Sequence, residues 1–214
     1  DMSFVITQST YDINVLNYIK SNLGFGSVIV QSSKAKTHRY VVQDIKGLKL
    51  ISLIFNGNMV FPTRTARFHT FLSALNEKLL KNNTPLIKPK FTTVTPTLND
   101  WWLSGLTDGE GSFTCSILLK RKTYRVRYIL TQKHLLNKPV FDHIAKLFND
   151  IGCVAVVMSH HEENVWEIRI NGVKNCIFVY DYFDLFRLKT KKYLSYSKWK
   201  EVIVKLQNGD HLNP

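Results

Sequence analysis

From Tyr124 to Thr131 the chain alternates. Tyr124, Val126, Tyr128 and Leu130 are apolar or aromatic, while Arg125, Arg127 and Thr131 fall between them. A period of two puts the two sets on opposite faces of a strand, which predicts a sheet with one covered face and one basic face. Over residues 136–150 the spacing becomes helical: Val140, Ile144 and Leu147 share one stripe, and Ile151-Gly152 stops the helix. Two further strands are predicted around 153–159 and 165–170, then closing helices over 172–183 and 190–207. Upstream, Trp101 to Thr107 reads as a short helix with Asn99 or Asp100 as its N-cap and the Trp101-Trp102 pair packing it. The order is αββαββα, an α+β unit.

The chain then matches itself. Ile6-Thr7-Gln8 pairs with Leu130-Thr131-Gln132 at an offset of 124, and Leu23-Gly24-Phe25-Gly26 with Ile151-Gly152-Cys153-Val154 at 128. Gly47-Leu48-Lys49 against Gly172-Val173-Lys174, Phe61 against Phe186, and Thr65 with Phe68 against Thr190 with Tyr193 all share an offset of 125. Collinear blocks at nearly constant offset predict a tandem duplication. The expected organisation is a first repeat over 1–81, a connector over 82–100 carrying Pro85, Pro89 and Pro96, and a second repeat over 101–214. The first repeat shows the same order from its second strand onward.

Composition adds the partner. The 214 residues carry a formal charge of +13, split as +6, +1 and +6 over the three segments, so the charge is not a tail. A field of that sign concentrates nucleic acid, and phosphate contacts supply most non-specific affinity. At 44% hydrophobic residues the chain can bury a core. No apolar run reaches the roughly 18 residues of a membrane span, and no signal-peptide pattern opens the chain. Cys115, Cys153 and Cys176 lack the short paired spacings of a zinc site and read as reduced core thiols. His160-His161, with His134 or His143, lacks zincin spacing and reads as a polar loop.

One stretch carries chemistry. In Leu103-Ser104-Gly105-Leu106-Thr107-Asp108-Gly109-Glu110-Gly111, two carboxylates stand where a helix ends. Acids there oppose the helix dipole, at roughly 0.3–1 kcal/mol each, so a compensating cation is expected; a hard divalent ion fits carboxylate and carbonyl oxygens. Ser104 and Gly105 are expected to leave one helix face bare for a close backbone approach, and Gly109 and Gly111 to permit the turn that follows.

The stretch resembles the signature of the LAGLIDADG homing endonucleases. Leu103, Gly105, Leu106, Asp108 and Gly111 are identical to it, and Glu110 replaces the second Asp by the other carboxylate. The LTQ strand end, the Gly after the middle helix and the basic run Arg187-Leu188-Lys189-Thr190-Lys191-Lys192 are similar to the family too. The resemblance implies two αββαββα repeats joined at a pseudo-twofold axis into a saddle of antiparallel sheets on duplex DNA. It implies a site-specific endonuclease that hydrolyses phosphodiesters with Mg²⁺ and promotes intron mobility. By the same resemblance Glu110 and the Gly109 carbonyl are metal ligands, and Asp108 stabilises the helix end. Gln132 positions water and Lys189 assists charge stabilisation, with Gln8 and Arg64 their first-repeat counterparts. The groove-facing set is Ser112, Thr114, Ser116, Lys120, Arg125, Arg127 and Thr131, with Thr7 in the first repeat; Arg125 and Arg127 are the candidate guanine readers. Tyr124 and Tyr128 are read as core on the covered face.

Glu110 lies 22 residues before Gln132, so the first repeat's acid is expected 22 residues before Gln8, upstream of residue 1. A truncated first repeat fits a fragment of a longer intron-encoded frame, a decayed motif, or completion by another chain; the fragment is favoured, and a complete frame is expected to be monomeric. The alternative function is a maturase that binds group I intron RNA without needing the acid. The resemblance implies a mitochondrial home, with the chloroplast as the alternative.

Overall fold

The computed structural model describes residues 2–118 and 123–212. It divides into two compact units, Asp1–Val94 and Thr95–Pro214. Each is an α+β unit built on an antiparallel sheet.

Unit 1 runs β1 (Phe4–Ser9), α1 (Ile13–Leu23), β2 (Ser27–Ser32), β3 (Thr37–Val42), α2 (Ile45–Phe55) and α3 (Pro62–Lys81). Its sheet order is β1-β3-β2, antiparallel throughout. Local signals set the helix ends. The Asp44 carboxylate accepts from Gly47 N at 2.7 Å to cap α2, Pro62 opens α3, and Gly24 closes α1 in the left-handed region. Leu16, Tyr40, Val42, Leu48, Ile51, Leu72, Leu75 and Leu79 form the core. Gly26 (φ +81°) lets the chain pass against Tyr40, since a Cβ there would lie 2.6 Å from the ring.

Residues 84–92 of the connector lie along this unit. The Asn76 side chain exchanges two hydrogen bonds with the backbone of Ile87, each 2.9 Å, and Asn56 bonds Lys88 O and Lys90 N at 2.8 Å. Each amide acts as a short stretch of partner strand, and Ile87 is buried in the unit 1 core.

Unit 2 runs α4 (Trp102–Glu110), β4 (Gly111–Leu118), β5 (Thr123–Lys133), α5 (Lys138–Asp150), β6 (Ala155–Ser159), β7 (Val165–Asn171), α6 (Val173–Cys176), α7 (Phe178–Leu185) and α8 (Lys192–Gln207). The helix expected over 172–183 is two, α6 and α7. The sheet order is β4-β5-β7-β6, the order of unit 1 with one strand added beside the equivalent of β1. Unit 2 has the expected αββαββα order, with its last helix divided, and the two units share the order of three strands. Among the described residues β1 pairs on one side only, with β3.

The covered face of the unit 2 sheet holds Val126, Tyr128, Leu130, Ile168 and Ile170, all essentially without exposure. Phe113 sits among Tyr128, Phe183, Tyr196 and Trp199, with ring centroids 5.2–5.4 Å away. Such pairs add about 0.5–1.5 kcal/mol each beyond their buried area. Tyr124 shares this parity but is exposed at the strand's end, so it is not core.

Cys153 and Cys176 are buried and Cys115 is exposed, which corrects the reading of all three as core thiols. Burial pushes the Cys176 thiol up to about 12 and Cys153 to about 11. Burial raises the Cys115 thiol too, but it alone of the three is exposed, so iodoacetamide at pH 8 is expected to label Cys115 alone in the native protein. Mass spectrometry after timed quenching reads this. Equal labelling of all three before unfolding would contradict the packing.

Candidate functional site

The motif folds as α4 running directly into β4. Asp108, Gly109 and Glu110 form its last turn, with Gly111 its C-cap and the first residue of β4. Gly111 pairs with Leu130, so Glu110 leaves the sheet at the end where Gln132 lies two residues beyond Leu130. Gln132 shares the parity of Leu130 and Tyr128, opposite to that of Thr131, and its Oε1 accepts from Lys133 N at 3.1 Å.

Packing within the unit fixes α4. Leu103, Ser104 and Thr107 are its buried residues. Thr107 Oγ1 and Tyr128 Oη lie 2.7 Å apart inside the core. Burial raises the Tyr128 phenol, which stays neutral. Ser104 N donates to Tyr182 Oη at 3.0 Å, and the Ser104 hydroxyl donates to Phe186 O. Ser104 is therefore buried rather than bare, and the backbone that approaches it is that of Phe186, just after α7. Gly105 is exposed, and a Cβ there would meet nothing within 4 Å. Gly109 and Gly111 do not serve a left-handed turn either. Gly109 is helical with open space around it, while a Cβ on Gly111 would come within 2.9 Å of the Thr107 backbone. The need at Gly111 is steric.

Tyr128→Phe leaves the Thr107 hydroxyl buried without its partner, and a loss of about 1–3 kcal/mol is expected. Urea unfolding measures it; an unchanged midpoint would show that the pair contributes nothing.

The two acids of the motif have different surroundings. Asp108 accepts from Lys189 N (2.8 Å), Thr190 N (3.1 Å) and Thr190 Oγ1 (2.6 Å). It ends α4, but it also stands at the approach to the N-terminus of α8, where a carboxylate is favoured. The expected dipole penalty is offset inside the protein. At the same C-terminus Lys192 Nζ donates to Thr107 O at 3.0 Å and Gly109 O at 3.1 Å, placing a cation where the α4 dipole is negative. Glu110 is exposed beside it.

Lys189 lies elsewhere. Its backbone is tied to Asp108, but its ammonium rests 4.9 Å from the ring centroid of Trp101, the residue that opens α4, whereas Glu110 closes it. The amine at the acidic end is that of Lys192, which the sequence reading passed over within a run of basic residues. In unit 1, Gln8 lies one residue before the end of β1, opposite His38. Arg64, in the first turn of α3, lines a cavity with Phe4, Phe55, Phe68 and Arg67.

Strand register assigns the second sheet face. Ser112, Thr114 and Ser116 stand opposite Ile129, Arg127 and Arg125, and Thr131 stands opposite Glu167, so these side chains share the face away from the aromatic core. Thr7 holds the matching place in unit 1, opposite Arg39. Lys120 lies outside the described residues. Burial lowers the Arg127 guanidinium from its ordinary value, and neighbouring Arg125 and Arg169 add to this while Glu167 opposes it. Glu167 and Arg169, on the same face, were missed; the alternation of Trp166, Ile168 and Ile170 with Glu167, Arg169 and Asn171 signals them.

The described residues also bring His160, His161 and Glu162 together on the β6–β7 hairpin, ligand atoms within 4.8 Å. His160 Nδ1 already accepts from Glu162 N at 3.2 Å, as in a polar turn. His143 Nε2 lies 2.9 Å from Pro96 O, away from that group.

The sequence matches the family of LAGLIDADG endonucleases over residues 1–75 and 103–203. The chain belongs to that family. Over its whole length it is 40% identical to the probable intron-encoded endonuclease 4 of Neurospora crassa, of which it spans 38%. It is 26% identical, over 97% of its length, to an uncharacterized cox1 intron-2 protein of Schizosaccharomyces pombe, of which it spans 61%. It thus covers under two thirds of both relatives. Among solved structures it resembles the LAGLIDADG meganuclease I-CpaMI bound to uncleaved DNA (TM-score 0.79, 18% identity, 99% of this chain and 83% of that one). It also resembles I-SmaMI bound to its uncleaved DNA target in the presence of calcium ions (TM-score 0.71, 17% identity, 99% and 83%). At these identities the likeness concerns the LAGLIDADG fold.

Proposed function

We propose that this LAGLIDADG chain is part of an intron-encoded homing endonuclease that binds duplex DNA and hydrolyses its phosphodiester bonds with a divalent metal. The observation that carries the reading is the α4–β4 junction. There an exposed carboxylate and a helix-end carbonyl stand beside an amine, at the margin of a sheet whose polar face bears Arg125 and Arg127. The Gly109 carbonyl already takes a cationic group, and carboxylate plus carbonyl are hard oxygen donors, so the residues fit a divalent ion. Glu110 and the Gly109 carbonyl would hold Mg²⁺, which supplies a more acidic water and charge neutralisation at the phosphate.

The protein's own groups supply the rest. Gln132, two residues beyond the pairing partner of Gly111, would orient water, and Lys189 and Lys192 would bring positive charge to a phosphate. Ser112, Thr114, Ser116, Arg125, Arg127 and Thr131, with Thr7 in unit 1, face the groove. Gln8 and Arg64 take the corresponding roles in the first repeat. A complete frame acts as a monomer in a mitochondrion, in keeping with the cox1 intron named for one relative.

The position of the two amines makes a specific prediction. Lys192→Met is expected to lower duplex cleavage more than Lys189→Met, by about tenfold, because only Lys192 sits at the Gly109 carbonyl. Single-turnover cleavage of a matched duplex by both variants checks the order, and the reverse order returns the role to Lys189. The reading as a whole is tested by comparing binding to intronless-allele duplex and to group I intron RNA. Tighter and sequence-selective duplex binding is expected; selective binding of the RNA alone would replace the endonuclease with a maturase.

A further inference from the structure

On the polar face of the unit 2 sheet stand three guanidinium groups, those of Arg125, Arg127 and Arg169; burial lowers that of Arg127, and its two neighbours add to this. One carboxylate faces them. Glu167, opposite Thr131, is only 2% exposed and pairs with Arg169 two residues on along the same face of β7. It is too buried to touch a ligand, so its effect outside the protein must pass through its partner. Arg169 is different: a third of its side chain is exposed, one terminal nitrogen is paired with Glu167, and Nε is enclosed in the protein. A guanidinium carries five N–H donors in a rigid fork, so donors remain after the ion pair. Thr114 Oγ1 and Arg127 Nε on the same face are likewise enclosed in the protein. A long side chain held by a buried carboxylate has already lost rotamer freedom, which lowers the cost of ordering it on a ligand. What the face offers a ligand here is therefore the remaining terminal N–H groups of Arg169, held in a fixed position rather than on a mobile basic fringe.

We infer that Arg169 is a base-reading, specificity-determining residue for a guanine in the DNA major groove, and that Glu167 is the positioning residue that aims it. The inference rests on the proposed duplex-DNA reading. The fork matches the O6 and N7 acceptors of guanine, and a bidentate contact of this kind is the usual arginine readout. Unit 1 carries no such pair: Arg39 stands opposite Thr7 where Glu167 stands opposite Thr131, and Val41 takes the place of Arg169 opposite Val5. The guanine contact made by a carboxylate-aimed arginine is consequently expected in the half of the site that unit 2 covers.

The test is selection from a randomised duplex pool by the full 214-residue chain, without added metal, using wild type, Glu167→Gln and Arg169→Lys. Affinity for an unrelated duplex is followed against salt. Wild type is expected to enrich, in one half-site, a guanine whose selection depends on Arg169. Arg169→Lys keeps the charge and loses the fork, so that enrichment falls about tenfold with non-specific affinity nearly unchanged. Glu167→Gln removes a negative charge and raises affinity for every duplex, yet the same guanine preference falls. If Glu167→Gln raises specific and non-specific binding alike and leaves the preference intact, the carboxylate only tempers charge and the inference is wrong. If Arg169→Lys weakens all duplexes uniformly, Arg169 contacts phosphate and the inference is also wrong. Failure of wild type to bind any duplex would overturn the DNA reading itself, a result distinct from these two. Arg169→Lys, altered at a partly exposed position, keeps the test open should Glu167→Gln fail to fold.

Discussion

Glu110→Gln is expected to reduce duplex cleavage by more than about a hundredfold while leaving DNA affinity and thermal stability close to wild type. The carboxylate is exposed, and β4 begins at the next residue without its help, so the amide is accommodated without repacking. An amide oxygen remains a donor but carries no charge, and hard divalent ions depend on that charge. Single-turnover cleavage beside a binding titration separates the two effects. Undiminished cutting by Glu110→Gln would remove Glu110 from the metal site, whereas loss of binding together with cutting would make it part of the DNA contact.

Asp108 has a different task and a different expected phenotype. Its carboxylate receives two backbone N–H groups and one hydroxyl from Lys189 and Thr190, so it anchors the segment that leads into α8. Bonds to a charged acceptor are the strong ones, and removal leaves two backbone donors to find water. Asp108→Ala is expected to cost about 3 kcal/mol, or roughly 6–12 °C in Tm for a chain of this size. Cleavage falls as well, because the same segment carries Lys189 and Lys192. Asp108→Asn, which keeps an acceptor, loses less. A calorimetric Tm within about 2 °C of wild type for Asp108→Ala would show that the segment holds itself.

The parts of this architecture that could be read from the sequence are those set by periodicity. Alternation over Tyr124–Thr131 separated the two sheet faces, and register bears it out: Val126, Tyr128 and Leu130 are buried, and Arg125 and Arg127 lie on the other face. The same rule applied to β7 would have found Glu167 and Arg169. Contacts made by backbone groups were not legible. Serine at 104 suits an exposed small position as well as a buried one that answers the Phe186 carbonyl, and only the packing of α4 on α7 chooses. Gly111 reads as a turn residue, yet it is needed because the Thr107 backbone passes close by. In a run of similar basic residues the sequence does not tell which amine reaches the acid end of α4. The α8 entry decides it, through the Asp108 anchor that turns Lys192 toward Gly109 O while Lys189 lies over Trp101.

The central claim is that a divalent ion binds at the end of α4 when duplex DNA is present. The most direct test is a crystal structure of the chain, in its full reading frame, on an uncleaved target duplex with calcium. An ion is expected about 2.3–2.6 Å from a Glu110 oxygen and from the Gly109 carbonyl, with Lys192 displaced from that carbonyl toward phosphate. An ion bound elsewhere on the chain, for instance at His160, His161 and Glu162, with Lys192 still on Gly109 O, would contradict it.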